Sequence, residues 1–353
     1  LAVLSASVLS IRYRFSLWFL LLSCRRRSSS RECWSRVSDV YKGQDGQFRV
    51  PKGMGLVAQV FKGKTLGSLK GSMAVGHTRY YTTGSSHHRN SQPLTVDCNK
   101  GQIAIAHNGN LTNAAQLREE LELGGSIFQT TVDSEIILHL MARPANGSDN
   151  NLVQSLQRIQ GAYSLVIMTE NELIGVRDPH GFRPLSIGKL DGAYVLSSET
   201  CAFDLIQAEF VRDVEPGEIV IINDDGIQSI NAFPMHDRRA FCIFEYVYFS
   251  RPDSIITDRS VYGVRVNMGR EMAKESPVEA ALVVPVPDSG HCAALGYALE
   301  SGLPSAMAFV RHHNARPSFL LQAHPPLTIT LAVQLTTHTD MIETQRGRNS
   351  EGQ

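Results

Sequence analysis

Gln102-Ile-Ala-Ile-Ala-His-Asn-Gly-Asn110 decides how the chain around it folds. Gln102 to His107 reads as a short buried strand, and Asn108-Gly109-Asn110 reads as the turn that ends it. Beyond it the apolar period becomes helical. Asn113 to Leu123 puts Ala114, Leu117 and Leu121 on one face, with Asn113 and Gln116 in a capping-box pattern and Gly124-Gly125 as the stop. Asp133 heads a second helix through Ile136, Ile137, Leu140 and Met141. Pro144 to Asn151 is a loop, and Leu152 to Ile159 is a short third helix. Tyr163 to Met168, Leu173 to Val176, Ala193 to Ser197 and Glu218 to Ile222 read as strands, and Asp225-Gly226 as a hairpin turn. Helices grouped among hairpin-spaced strands predict an α+β layered domain up to about residue 235. Phe241 to Phe249 is strongly apolar and aromatic. After it come a helix (Val261 to Lys274), a strand (Ala281 to Pro287), a Gly turn and a helix (Ala293 to Ser301). That order is α/β grammar and predicts a second domain with a parallel sheet.

Composition excludes several classes of function. Over 353 residues, 42% are hydrophobic and 19% charged, which is globular rather than disordered or fibrous. Lys plus Arg equals Asp plus Glu, so no net field draws the chain to nucleic acid or to an anionic membrane. The apolar run Leu17 to Leu22 is too short to span a bilayer; with Arg12 and Arg14 before it, it is a candidate leader segment. The cysteines are scattered without a Cys-x-x-Cys pair, so neither a disulfide framework nor a complete local zinc site is written here, and a reducing compartment is the simpler reading.

Three short segments carry possible chemistry. Gly76-His-Thr-Arg-Tyr-Tyr-Thr-Thr-Gly84 offers Arg79, either as a surface ion-pair residue or as a bidentate clamp for a carboxylate. Asn108-Gly109 is a turn signal, and equally a side-chain amide beside a glycine N–H, which is what an oxyanion hole requires. Asp133-Ser134-Glu135 is a helix cap or the acceptor for a substrate ammonium. A carboxylate clamp, oxyanion donors and an ammonium acceptor together describe a site for an α-amino acid whose side-chain amide is attacked, namely glutamine.

Gly76 to Gly84, Asn90-Ser-Gln-Pro93, His107 to Leu111 and Thr131 to Glu135 resemble the N-terminal-nucleophile glutaminase domain. Arg177-Asp-Pro-His-Gly-Phe-Arg-Pro-Leu185, Ser197-Ser-Glu199 and Phe241-Cys-Ile-Phe-Glu-Tyr-Val-Tyr-Phe-Ser-Arg-Pro-Asp-Ser254 narrow the resemblance to the amidophosphoribosyltransferase family, from about Val37 to about Phe319. The resemblance implies an αββα glutaminase sandwich over 37–235, an incomplete α/β type I phosphoribosyltransferase domain over 236–321 and an unassigned tail over 322–353. It implies that a thiolate releases ammonia from glutamine, and that the ammonia displaces pyrophosphate from phosphoribosyl pyrophosphate with Mg²⁺ on the leaving group. By match, Arg79 holds the glutamine α-carboxylate, Asp133 its ammonium, and Asn108 with Gly109 the oxyanion. Ser289, in Pro285-Val-Pro-Asp-Ser-Gly290, matches a Mg²⁺ ligand, where a helix N-cap is the simpler reading. Cys242 matches one of four thiolates on a [4Fe-4S] cluster whose other ligands are missing, where buried packing is the simpler reading. A homo-oligomer is implied for the intact protein, in the cytoplasm or, for a photosynthetic source, in a plastid.

The chain also departs from that family. The family's opening Cys-Gly is not found: Cys24 precedes Arg25 and Cys33 precedes Trp34. Ser30 to Arg36 can be written in codons that, one base later, read Gln-Glu-Ser-Ala-Gly-Val, the family's missing segment, so residues 1–36 are expected to be an aberrant or mispredicted N-terminus. After Leu321 nothing matches, and the acid pair and phosphate loop of the transferase are absent. The chain as written is therefore expected to lack both activities. A non-catalytic glutaminase-like binding protein and other glutamine amidotransferases of the superfamily are the alternative readings.

Overall fold

A computed structural model describes residues 17–21, 36–43, 46–54, 61, 71–79, 88–144, 151–231, 233, 239–311 and 335–337. The chain divides into two compact units, one running to Cys242 and the other from Ile243 onward.

In chain order the strands of the first unit are β1 (Leu17–Leu21), β2 (Arg36–Gly43), β3 (Phe48–Arg49), β4 (Lys52–Met54), β5 (Gly71–Arg79), β6 (Leu94–Cys98), β7 (Gly101–Leu111), β8 (Gly161–Met168), β9 (Leu173–Arg177), β10 (Ser186–Leu190), β11 (Ala193–Ser197), β12 (Glu209–Asp213), β13 (Glu218–Asn223) and β14 (Gly226–Asn231). They form two sheets. One runs β12-β10-β11-β1-β5-β2-β3 with β4 also on β2; the other runs β14-β13-β9-β8-β7-β6. The segment Leu17–Leu21, a candidate leader on sequence, is the strand that joins β11 to β5, parallel to both.

Alternation along the strands builds two cores. Ile103, Ile105, Leu165, Ile167 and Val176 pack against helices α1 (Ala114–Leu123), α2 (Ser134–Ala142) and α3 (Asn151–Arg158), through Leu117, Leu121, Ile136, Ile137 and Leu156. Ala104, Ala106, Val166 and Met168, one residue out of phase, pack against Val40, Met73, Val75 and Leu196 of the facing sheet. Each fully buried Leu or Ile here stabilises the fold by about 2 kcal/mol. On the far side of that facing sheet, Phe203 of the short helix α4 (Cys201–Ile206) closes on Gly188 of β10. Helix, sheet, sheet, helix is the layered α+β sandwich expected from the sequence.

Several local expectations are corrected. Asn108-Gly109-Asn110 is not a turn: β7 runs through it, and Gly109 pairs with Tyr163 and Leu111 with Gly161. The two backbones approach too closely for side chains. A Cβ on Gly109 (φ +151) would lie 1.9 Å from the Ala162 carbonyl oxygen, and one on Gly161 (φ +142) 2.3 Å from that of Asn110. Asn113 does not cap α1 with its side chain; its amide bonds Arg158 O at 2.9 Å and accepts from Gln160 N at 3.0 Å, tying α1 to the start of β8. Asp133 does not cap α2 through its side chain either. The Asn223–Gly226 pair does close the expected hairpin between β13 and β14.

In the second unit, the apolar stretch after Cys242 forms a π-helical turn, Glu245–Phe249, rather than an extended strand. Arg265, buried, donates to Tyr246 O and to Ser250 O and so fixes that turn from behind. Helices α5 (Val261–Glu275) and α6 (His291–Ser301) cross at Gly269 and Gly296. A Cβ at either would lie 1.9 Å from a carbonyl oxygen of the other helix. The expected strand Ala281 to Pro287 is reduced to one parallel bridge, Val283 to Ser305. Among the described residues only that one position has a strand partner, so no ladder holds the rest of the segment extended.

The β7–β8 contact makes a direct prediction. Gly161→Ala should lower unfolding free energy in urea by about 3 kcal/mol more than Gly192→Ala. Gly192 also has positive φ (+89), but a Cβ there meets nothing within 4 Å. Equal losses would mean the two strands have room for a methyl group.

Candidate functional site

The last turn of pleat in β7 places consecutive residues on opposite faces. His107, in phase with Ile103 and Ile105, points to the helix layer and is buried. Asn108, in phase with Ala104 and Ala106, faces the other sheet and is half-buried. Its side-chain amide makes no hydrogen bond among the described residues. Gly109 follows, with no side chain between the amide and the strand end.

Asp133 reaches this strand end from the start of α2. Its Oδ2 accepts the Leu111 N–H at 2.9 Å, and its Oδ1 lies 3.4 Å from His107 Nδ1. Burial alone would raise its pKa. The charge and hydrogen bond of His107, with the N–H groups of Leu111 and Ser134, outweigh burial and hold the carboxyl down to about 2. Asp133 is thus ionised at neutral pH and placed to receive a cation. Glu135, the other acid of the segment, is turned away. It accepts from Gln129 N at 2.7 Å, Thr130 N at 2.8 Å and Thr130 Oγ1 at 2.6 Å, closing the loop before α2.

The segment Asn90-Ser-Gln-Pro93 supplies the supports that sequence reasoning quoted without assigning a role. Asn90 Nδ2 donates to Thr131 Oγ1 at 2.8 Å while its Oδ1 accepts from Thr131 N at 3.1 Å. Gln92 Oε1 accepts the His107 N–H at 2.7 Å, and its Nε2 donates to Ser134 Oγ at 3.2 Å. The signal for Asn90 and Gln92 lay in their polarity: an amide side chain beside a strand is usually buried only when it is bonded, as both are here.

The structure puts Asp133 on the Leu111 N–H, two residues beyond Gly109, and Asn108 on the face of β7 opposite His107. Arg79 ends β5, its backbone opposite Arg36 of β2; its side chain lies outside the described residues, as do Cys24 and Cys33. Ser289 belongs to the second unit. It sits in the turn closed by Gly290 N on Val286 O at 3.1 Å, and α6 begins after Gly290, so Ser289 is not its N-cap. Its hydroxyl is unbonded among the described residues. Cys242 is a free, half-buried thiol. Among the described residues no group of three or more His, Cys, Asp or Glu could hold a metal ion. A lone hydroxyl and a lone thiol do not fit the donor sets that Mg²⁺ or a four-thiolate cluster needs.

Known proteins similar to this chain cover most of its length. A family model described as a glutamine amidotransferase domain matches residues 77–204. An amidophosphoribosyltransferase of Rhizobium etli is 45% identical over 311 residues, covering 86% of this chain and 62% of that protein. Amidophosphoribosyltransferase 2, chloroplastic, of Arabidopsis thaliana is 43% identical over 305 residues, covering 83% of this chain and 54% of that protein. The chain thus spans between about half and two thirds of the length of these curated relatives. A solved glutamine phosphoribosylpyrophosphate amidotransferase from B. subtilis, complexed with ADP and GMP, is 40% identical with a TM-score of 0.79, covering 90% of this chain and 68% of that one.

The depressed pKa of Asp133 sets a stability window. The folded value lies below the ordinary 3.8, so the contribution is complete above about pH 4 and is lost as pH falls toward 2. Asp133→Asn should remove about 2 kcal/mol of the stability difference between those two pH values, measured by urea unfolding. An unchanged difference would show that the carboxylate is not held by His107 and Leu111.

Proposed function

This chain belongs to the amidophosphoribosyltransferase family, and we propose from that premise that its first unit binds glutamine and takes the amide nitrogen from it. The observation that carries the proposal lies at the end of β7: an Asn108 amide that is unbonded among the described residues, beside Gly109, and an ionised Asp133 carboxylate held on the Leu111 N–H of the same strand end. The substrate ammonium sits on Asp133, and its carboxamide oxygen lies toward Asn108 Nδ2 and the Gly109 N–H. Arg79 takes the α-carboxylate as a planar fork. When a thiolate adds to the carboxamide carbon, negative charge moves onto that oxygen, where Asn108 and Gly109 stabilise it. The C–N bond then breaks as the nitrogen takes up the proton that the thiol gave up, ammonia leaves, and water releases glutamate from the thioester. In the full-length reaction the ammonia displaces pyrophosphate from C1 of phosphoribosyl pyrophosphate, the step that opens purine synthesis, with Ser289 at the pyrophosphate end of the second unit.

Among the described residues no complete donor set for Mg²⁺ or an iron–sulfur cluster is present, and no step above is routed through either group. No helix among the described residues is long and apolar enough to cross a membrane. A homo-oligomer in a reducing compartment, cytosolic or plastid, completes the proposal.

Calorimetric titration tests the site. L-glutamine should bind, with Asp133→Asn and Arg79→Lys each raising Kd by roughly tenfold or more, about 1.4 kcal/mol. Glutaramic acid, which lacks the ammonium, should bind the unmodified chain and Asp133→Asn equally. L-glutamine affinity unchanged by Asp133→Asn would contradict the assignment. Binding without glutamate release would assign the chain to glutamine binding rather than turnover.

A further inference from the structure

His107 is the buried titratable group at the site for which the mechanism above has no use. It is enclosed on the helix side of β7, where Nδ1 lies 3.4 Å from Asp133 Oδ1 and 3.3 Å from Ser134 Oγ. Its Nε2 is buried and has no hydrogen-bond partner among the described residues. That nitrogen lies 2.9 Å from where a Cβ on Gly109 would stand, so the ring leans into space that only glycine leaves open. Gln92 holds the other side, bonding the His107 N–H with one end of its amide and Ser134 Oγ with the other.

We propose that His107 is a positioning residue for glutamine: its Nδ1–H turns the Asp133 carboxylate so that one oxygen stays on the Leu111 N–H and the open lone pairs meet the substrate ammonium. The proposal rests on the reading of Asp133 as the ammonium acceptor. An ionised carboxylate only accepts, so a hydrogen bond between the two groups requires the imidazole nitrogen that faces Asp133 to donate. Nε2 has no acceptor that would compete for that proton. Ser134 Oγ, which accepts from Gln92, lies 3.3 Å from the same ring nitrogen and steadies the ring beside Asp133. Orienting supports of this kind set how well a first contact works without touching the ligand. The low pKa of Asp133, to which His107 contributes both charge and a hydrogen bond, agrees with this geometry.

Three measurements decide it. In the unmodified chain, long-range proton–nitrogen spectra should show the His107 proton on Nδ1 at neutral pH. A bare Nδ1 with a protonated Nε2 overturns the proposal, whether or not glutamine binds. His107→Phe keeps a ring and removes the donor; it should raise the L-glutamine Kd about tenfold and let the Asp133 carboxyl titrate at higher pH. His107→Asn puts an amide N–H near the place of Nδ1 and should bring Kd back to within about threefold of the unmodified chain. Unchanged affinity in the Phe variant, or equal weakening in both variants, overturns the proposal. If the unmodified chain binds no L-glutamine, the proposed function falls, while the tautomer and the Asp133 titration still decide what His107 does.

Discussion

One carboxylate joins the helix layer of this protein to the end of β7. Asp133 stands at the head of α2, yet its oxygens go to Leu111 N and toward His107 Nδ1 on β7 instead of to its own helix. A buried carboxylate costs free energy unless it is bonded and faced by positive charge. Here the Leu111 N–H and the His107 ring, both on one strand end, face the carboxylate, so α2 cannot move without exposing or stranding the charge. Asn90 and Gln92 bind Thr131 and Ser134 on either side of Asp133, which locks the approach from a third segment. The position of Asp133 is thus set by three chain segments at once.

The strand itself is kept open by glycine. β7 passes Asn108-Gly109-Asn110 in register with β8 because Gly109 and Gly161 let the two backbones close to distances no other residue permits. Continuing the strand keeps the alternation intact, and the alternation separates roles. His107 faces the helices with Asp133, while Asn108 faces the other sheet with its amide unbonded among the described residues. A turn at this point would have scattered both side chains.

Much of the framework was legible in the sequence. The strand Ala193 to Ser197 has the bounds that its alternation predicts, and the β13–β14 hairpin forms at Asp225-Gly226. What was not legible is instructive. Asn-Gly signals a turn because glycine adopts positive φ, but the same freedom serves a close approach of strands, and only the partner strand distinguishes the two. Asn113 and Asp133 have cap chemistry, yet both found tertiary partners that local reasoning cannot see. The stretch after Cys242 is apolar and aromatic, but the buried Arg265 that bonds its carbonyls lies far along the chain, so its π-helical turn is a product of tertiary structure. Asn108, Gly109 and Asp133 were legible as candidates from their chemistry; the roles of Gln92, Ser134 and His107 were hidden because a buried polar side chain is recognised by its partners, not by its spacing.

The central claim is that the end of β7 and the head of α2 together hold glutamine. A crystal structure of the chain with L-glutamine tests it most directly. The account predicts the ligand ammonium within hydrogen-bond distance of Asp133, and the carboxamide oxygen within the same distance of Asn108 Nδ2, with Asp133 still accepting from Leu111 N. Glutamine bound elsewhere, or bound at β7 with its ammonium away from Asp133, would contradict it.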